Sequence, residues 1–473
     1  MDTVIGRGRP GSPADFRWPE GSVVLEALST RIPPKKIKAV LEATGRRERR
    51  IRRLPAAAVV WLVIALGIWS DANVPTIWRR LSGTLRALLG ARDGKRPPVK
   101  SAFSEARRRL GAAPMRQLFR QTAGPMATAQ TIGAFYKGMR MNVIDGVHLD
   151  IPDTPANAKA FGRPSTTRNG ESVVGGYPQI LVVYLNEAGT HAIREALIRP
   201  ATGAERPAAR AMLKDVAPGD LVLWDSGFYS YALLAEAVRQ GRHVLGRVPP
   251  GVILKPVERL SDGSYLAKVY EDPSHRLADR GGLLVRVIEY TLDDPARPGH
   301  QQRHRLVTTL LDDKQYPALE LVCLYHERWE IEIANDELKT HQLARWVDLR
   351  SRTPWGVVQE LYGILLAYNA VRGLMHEAAL AEQVDPRRLS FLDSVRIIRD
   401  TVADMRNAPT TVLPILYRGM LKLIGQCRLP PRENRINPRV IKKKMSKWLK
   451  KRPEHYRPPQ PTKPFNEAVV MLN

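Results

Sequence analysis

The chain has 473 residues, enough for about three domains at ~150 residues each. Lys and Arg number 74 against 47 Asp and Glu, a formal net charge of +27 and a pI near 10.3. An excess of that size, spread along the chain, points away from a small-molecule metabolic role and toward a polyanion, of which nucleic acid is the commonest.

Cys323 and Cys427 are the only cysteines, so neither a disulfide framework nor a cysteine zinc finger can be built, and a reducing compartment is implied. Residues 1 to about 20 are rich in Gly, Pro and Arg and read as a mobile arm. No apolar run close behind them suggests a secretory signal, so a cytoplasmic setting is expected. Helical patterns follow at 34–43, 55–69, 74–89 and 101–109, punctuated by Gly45, Pro55 and Pro97-Pro98. The apolar run 56–69 is too short for a membrane span of ~20 residues and reads as a buried helix. Arg79, Arg80, Arg107, Arg108 and Arg109 suit a small helical DNA-binding region over 1–138, although arginines also decorate ordinary solvated faces.

From Met141 the pattern turns to strands at 142–149, 177–185 and 191–198. A helix (206–216), a strand (221–224), a helix (231–240) and a strand around Val244-Leu245 come next. Three strands followed by alternating helix and strand predict an α/β core with a mixed sheet. Residues from about 250 to 303 hold short strand-like pieces broken by Asp262-Gly263 and Gly281-Gly282, which read as a β-rich insertion. The core resumes at 305–311, and a long helix is expected from about 318 past Lys339. Beyond Pro354 the chain is helical again, then ends in a Lys/Arg/Pro-rich tail over 428–463.

Tyr325, Arg328, Glu332 and Lys339 stand at offsets 0, 3, 7 and 14, within a ~60° arc of one helix face at ~100° per residue. In an ordinary amphipathic helix such positions are apolar and face the core. Here they gather a phenol, a guanidinium, a carboxylate and an ammonium, so the face looks at water, at an ion-pair network or at a charged ligand. Glu327, Glu330 and Glu337 fall toward the opposite side, leaving Glu332 among the cations with Asp336 as its rival.

The spacing Tyr-x2-Arg-x3-Glu-x6-Lys resembles the signature of the IS4-family bacterial insertion-sequence transposases, whose relatives include the Tn5 and Tn10 enzymes. The approach to it, Arg305 through Asp312 and Tyr316-Pro317-Ala318, is similar as well, as is the Gly175-Gly176-Tyr177-Pro178 entry to the second strand. The resemblance supplies two further matches, Asp145-Gly146 and Asp225-Ser226-Gly227-Phe228, each at the expected end of an apolar strand. It implies a DNA transposase with Asp145, Asp225 and Glu332 as catalytic metal ligands and with Tyr325, Arg328 and Lys339 on DNA phosphates beside the cut.

Chemistry supports that implication independently. Phosphodiester cleavage at neutral pH needs an activated water and a stabilised leaving oxygen, which two divalent ions can supply together. Carboxylate oxygens suit Mg²⁺ or Mn²⁺ better than zinc or copper. Asp145 and Asp225 fall at strand mouths, where open α/β sheets bind ligands. Of the neighbouring acids, Asp150 points to the other face of a regular strand and Asp153 follows the strand-breaking Pro152. Some relatives hold a flipped base on a Trp from the insertion, but no Trp occurs between Ser226 and Arg328, leaving Tyr265 or Tyr270 as substitutes.

The expected architecture is a ribonuclease-H-like mixed-sheet catalytic core over 139–345 with its β-rich insertion, flanked by the N-terminal helical region and by a C-terminal helical region and tail over 346–473. The expected partners are transposon ends and target DNA, with a homodimer in the synaptic complex. A nuclease of the same fold that does not rejoin DNA, or a non-catalytic DNA-binding descendant, are the alternatives.

Overall fold

The computed structural model describes residues 31–48, 54–89, 98–168, 171–174, 176–327, 337, 349–405, 408–409, 411–430 and 459–472. Arg328, Glu332, Asp336 and Lys339 lie outside the described residues.

Five helices open the chain: α1 (Pro34–Ala43), α2 (Ala56–Ile68), α3 (Val74–Leu89), α4 (Lys100–Leu110) and α5 (Ala113–Thr122). The last of these has no counterpart in the patterns read above. Helix α2 is apolar on every side and buried along nearly its whole length. It can be so because it packs on α11 (Pro354–Ala381), a long and largely buried helix that reaches it from the C-terminal part of the chain. Two glycines make the crossing tight. A Cβ on Gly67 would stand 2.8 Å from the Ala367 Cβ, and one on Gly363 would stand 2.7 Å from the Val63 carbonyl oxygen. Helices α12 (Phe391–Met405) and α13 (Leu413–Gln426) complete the layer around α11. The region before residue 123 therefore shares one apolar core with the helices after residue 354.

That sharing explains two of the singled-out arginines. Arg107 donates to Gln359 Oε1 at 2.8 Å and to Ser351 Oγ at 3.1 Å, and Arg109 donates to the Leu54 carbonyl at 3.3 Å. Both tie helices together, whereas Arg79, Arg80 and Arg108 are exposed. No helix among the described residues is long and apolar enough to cross a membrane.

The rest of the chain supplies β1 (Phe135–Tyr136), β2 (Met139–Asp150), α6 (Pro155–Phe161), the separate hairpin β3 (Ser165–Arg168) and β4 (Glu171–Val174), β5 (Gln179–Glu187), β6 (Ile193–Pro200), α7 (Glu205–Met212), β7 (Leu221–Trp224), α8 (Tyr231–Arg239) and β8 (His243–Arg247). The insertion follows as β9 (Pro256–Arg259), β10 (Tyr265–Val269), α9 (Pro273–Leu277) and β11 (Leu283–Leu292). After it come β12 (His304–Thr308), α10 (Ala318–His326) and, at the far end, α14 (Phe465–Ala468) and β13 (Val469–Met471).

One sheet runs β6-β5-β2-β7-β8-β12-β11-β10-β9. Strands β6, β5 and β2 are antiparallel, while β2, β7 and β8 are parallel with α7 and α8 as crossovers. This is the ribonuclease-H-like order, three antiparallel strands continued by parallel ones. The insertion extends the same sheet through β12 and is pinned by the fully buried Arg286. Its guanidinium pairs with Asp262 and donates to Ser264 Oγ at 2.8 Å and the Tyr316 carbonyl at 2.6 Å, so the rigid fork of donors is met on several sides. Strand β13 pairs with the end of β11, so the chain's last described residues return to this sheet.

Candidate active site

Asp145 does not end its strand, as the sequence suggested; it sits in the middle of β2. What ends there is the pairing. Strand β7 leaves β2 after the Ile144–Trp224 pair, while β2 continues beside β5 to Asp150. Asp145 and Asp225 are the next residues in register on adjacent parallel strands, at the point where the sheet opens.

Their direction follows from strand alternation. Val143, Leu221 and Leu223 pack with Leu321, Val322 and Tyr325 of α10, whereas Ile144, Val222 and Trp224 pack with α7 and α8 on the other face. Asp225 keeps an extended backbone (φ −84°, ψ 168°), so both aspartates project on the face that α10 covers. Each is oriented locally: Asp145 Oδ1 accepts from Gly146 N at 2.8 Å and Asp225 Oδ1 from Ser226 N at 2.7 Å.

Tyr325 brings the helical motif to the same place. Its hydroxyl donates to the Trp224 carbonyl at 3.3 Å, one residue before Asp225, and the side chain is almost wholly buried. Trp224 fills the opposite face, against Gly246, where a Cβ would overlap the indole. It is a packing residue.

Two neighbours carried no signal in sequence. Tyr184 stands directly across from Asp145 on β5 and is 1% exposed; among the described residues its hydroxyl has no hydrogen-bond partner. Burial, with the charges of Asp145 and Tyr368 added, pushes its pKa well above the usual phenol value. Glu205, the first residue of α7, lies against Gly146, where a Cβ would come within 2.3 Å of its Oε1. Burial and the Asp145 charge raise its pKa, with His148 opposing. Gly146 points away from Asp145 along the strand, so Glu205 approaches the mouth from the α7 side. Only a residue without a side chain at 146 admits it, and an Asp-Gly pair gives no hint of that.

His326 stacks on Phe465 with ring centroids 3.7 Å apart, and burial, aided by Arg297, lowers its pKa to about 4. That is a packing histidine. Tyr265 is buried with its hydroxyl donating to Glu289 at 2.9 Å, which leaves Tyr270 as the insertion tyrosine nearer the surface. Asp150 accepts from Gln179 at 2.8 Å and Asp153 pairs with Arg163, both away from the mouth. Among the described residues no three His, Cys, Asp or Glu side chains form a metal-holding group.

The family model for the insertion element 4 transposase N-terminal region matches residues 22–120, and that for the transposase DDE domain matches 136–370. The transposase InsG for insertion sequence element IS4 of Escherichia coli (strain K12) is 31% identical over 431 residues, covering 90% of this chain and 93% of InsG. The chain belongs to the IS4 family of DDE transposases. The putative transposase InsZ of the same organism is 29% identical over 222 residues, 46% of this chain and 70% of that protein. A piggyBac transposase synaptic complex with hairpin DNA aligns over 85% of each chain at a TM-score of 0.39 and 13% identity, too distant to carry an argument. As an IS4-family transposase, this enzyme cleaves and transfers DNA strands and depends on divalent metal.

Proposed function

We propose that this transposase cuts its element's ends and joins them to target DNA with Asp145, Asp225 and Glu332 as the catalytic carboxylates. The observation that carries the assignment is the meeting of three segments: two aspartates next in register on one face of the sheet, and Tyr325, first residue of the helical motif, bonded to the backbone just before the second of them. Glu332 stands seven residues beyond Tyr325.

The donor set fits hard divalent ions, Mg²⁺ or Mn²⁺, because it is made of carboxylates, and those of Asp145 and Asp225 share one face and are each oriented by a backbone N–H. Two such ions, when bound, supply an activated water and a stabilised leaving oxygen. The chain's own share is to hold those oxygens in place and to grip the DNA. Arg328 grips bidentately and Lys339 as a point charge. Tyr325 joins them by moving its hydroxyl from the Trp224 carbonyl to a phosphate oxygen.

End recognition is assigned to the helices before residue 138, catalysis to 139–345, and sequence-independent affinity to the basic stretch after Arg428. Phosphate contacts fix position but do not discriminate sequence. Two ends held together require a homodimer in the synaptic complex, working on nucleoid DNA in the cytoplasm.

The test is Mg²⁺-dependent nicking and strand transfer on a terminal-repeat duplex. Glu332→Gln is expected to abolish both while end binding persists. Full cleavage by Glu332→Gln and none by Asp336→Asn would move the assignment to Asp336. Cleavage without joining by the unaltered chain would make it a nuclease.

A further inference from the structure

Tyr184 pairs directly with Asp145 across β5 and β2, so the two side chains stand on one face of the sheet. Two covers lie over that face. Val143 packs in the cluster that α10 completes, while Val147 and Tyr184 pack in the cluster built around α11. The boundary between the covers therefore runs through Asp145, and Tyr184 lines it on the α11 side.

Three other buried tyrosines under these covers have partners for their hydroxyls. Tyr325 donates to the Trp224 carbonyl at 3.3 Å, Tyr362 to the Ala196 carbonyl at 3.0 Å and Tyr368 to Glu337 at 3.0 Å. Tyr184 is 1% exposed, yet among the described residues its hydroxyl meets no hydrogen-bond partner, although Asp145 and Tyr368 are both within electrostatic reach. A buried hydroxyl left alone has given up water and gained nothing, which is rare in folded proteins. Folding energy by itself would place phenylalanine there.

We propose that Tyr184 is a positioning residue for the divalent ion held at Asp145, its hydroxyl oxygen accepting a hydrogen bond from a water in that ion's shell. The proposal rests on the reading of Asp145 and Asp225 as metal ligands. Mg²⁺ gives up its waters reluctantly and keeps several when bound by only a few carboxylates. Water on a cation is polarised into a strong donor, and a phenol oxygen can accept from it. Partners at this remove from a metal tune its affinity by holding the ligands in place. Tyr184 touches neither DNA nor the ion and acts through the ordered water.

The test takes the full chain without DNA and reads two quantities: Mn²⁺ affinity, from the EPR signal of the free ion during a titration, and the melting temperature of the metal-free protein. Tyr184→Phe is expected to weaken Mn²⁺ binding about tenfold. Its metal-free melting temperature should be no lower than that of the unaltered chain, because the oxygen removed has no bond to lose. Tyr362→Phe is the control of opposite sign. It should leave Mn²⁺ affinity within about twofold and lower the melting temperature, since the buried Ala196 carbonyl loses its donor.

Asp145→Asn, titrated alongside, separates the two readings. Unchanged Mn²⁺ affinity in Tyr184→Phe, with binding lost in Asp145→Asn, would overturn the role of Tyr184 and leave the aspartates as metal ligands. Mn²⁺ binding that survives Asp145→Asn would overturn that assignment and this proposal with it. A metal-free Tyr184→Phe that melts as early as Tyr362→Phe, or fails to fold, would show that the hydroxyl is bonded within the frame, and would overturn the proposal as well.

Discussion

Two glutamates near the strands that carry the aspartates have pKa values shifted in opposite directions. Glu205, at the mouth, is raised by burial and by the neighbouring Asp145, whereas Glu337, deeper in the protein, is held at about 2 because Arg372 and His191 outweigh its burial. The first region gathers like charge and the second cancels it. Like charges brought together cost folding energy and suit a site that awaits cations, while a cancelled buried pair restrains geometry. The comparison separates an acid crowded by like charge from one whose charge is cancelled.

Neutralising the mouth should have the largest effect. Asp145→Asn or Asp225→Asn is expected to lower Mg²⁺-dependent cleavage by ~10³-fold or more, since on the proposed reading each removes a carboxylate ligand of the ions that activate water. Binding of the terminal-repeat duplex in a mobility-shift assay should stay near the unaltered level; a parallel loss of binding would mean that the aspartates hold structure.

Breaking the cancelled pair comes next. Glu337→Gln leaves Arg372 buried without its counter-charge, at a cost of ~3–5 kcal/mol in urea unfolding at neutral pH. Because the folded pKa of Glu337 lies below the ordinary value of 4.5, its contribution is complete above that value and fades as the pH falls toward about 2. The gap between the two proteins should therefore narrow between pH 4.5 and 2, and a constant gap would detach the effect from the ionised carboxylate.

A third change leaves electrostatics alone. Gly67→Val forces a branched side chain into the α2–α11 crossing and should cost ~1–3 kcal/mol. As the N-terminal helices share their core with α11, the loss should appear in the unfolding of the whole protein. A separate early transition would show that the N-terminal region stands alone.

The smallest effect should come from Glu205→Gln. A raised carboxyl group stabilises the fold while protonated and loses that contribution as the pH rises through its folded pKa. Removing its charge should thus stabilise the metal-free protein at neutral pH, by under ~1 kcal/mol after solvent screening. The gain should vanish in acid. Cleavage should persist within about threefold, because Glu205 approaches from the face opposite the two aspartates.

Much of this was legible in the residues. Leu221 through Trp224 reads as a strand and is one, because a short apolar run before Asp-Ser-Gly has few other uses. Helix α3 was legible in its bounds, from Val74 to Leu89. The aspartates could be picked out by their resemblance to the family's pattern, but not the middle-of-strand position of Asp145, which depends on where β7 parts from β2. Helix α5 escaped because it begins at Ala113-Pro114, close behind Gly111, where the signals read as a break. Arg107 looked like a DNA contact because an arginine triplet carries no mark of the partner that meets it; Gln359 and Ser351 lie some 250 residues away. Glu205 and Tyr184 were invisible for the same reason, since each owes its character to a neighbour distant in sequence.

Strand β13 bears on how the molecule comes into being on the ribosome. Tyr290 of β11 must wait for Met471, and at 5–20 residues per second that wait is roughly ten to forty seconds. The five strands β6, β5, β2, β7 and β8, among which the aspartates stand, can assemble well before it, since their partners are made close together. The outer end of β11 meanwhile stands as an uncovered edge, open to pairing with another nascent chain. Strand β13 is thus a closing stitch, and a chain that stops short of Val469 carries both aspartates yet leaves that edge exposed.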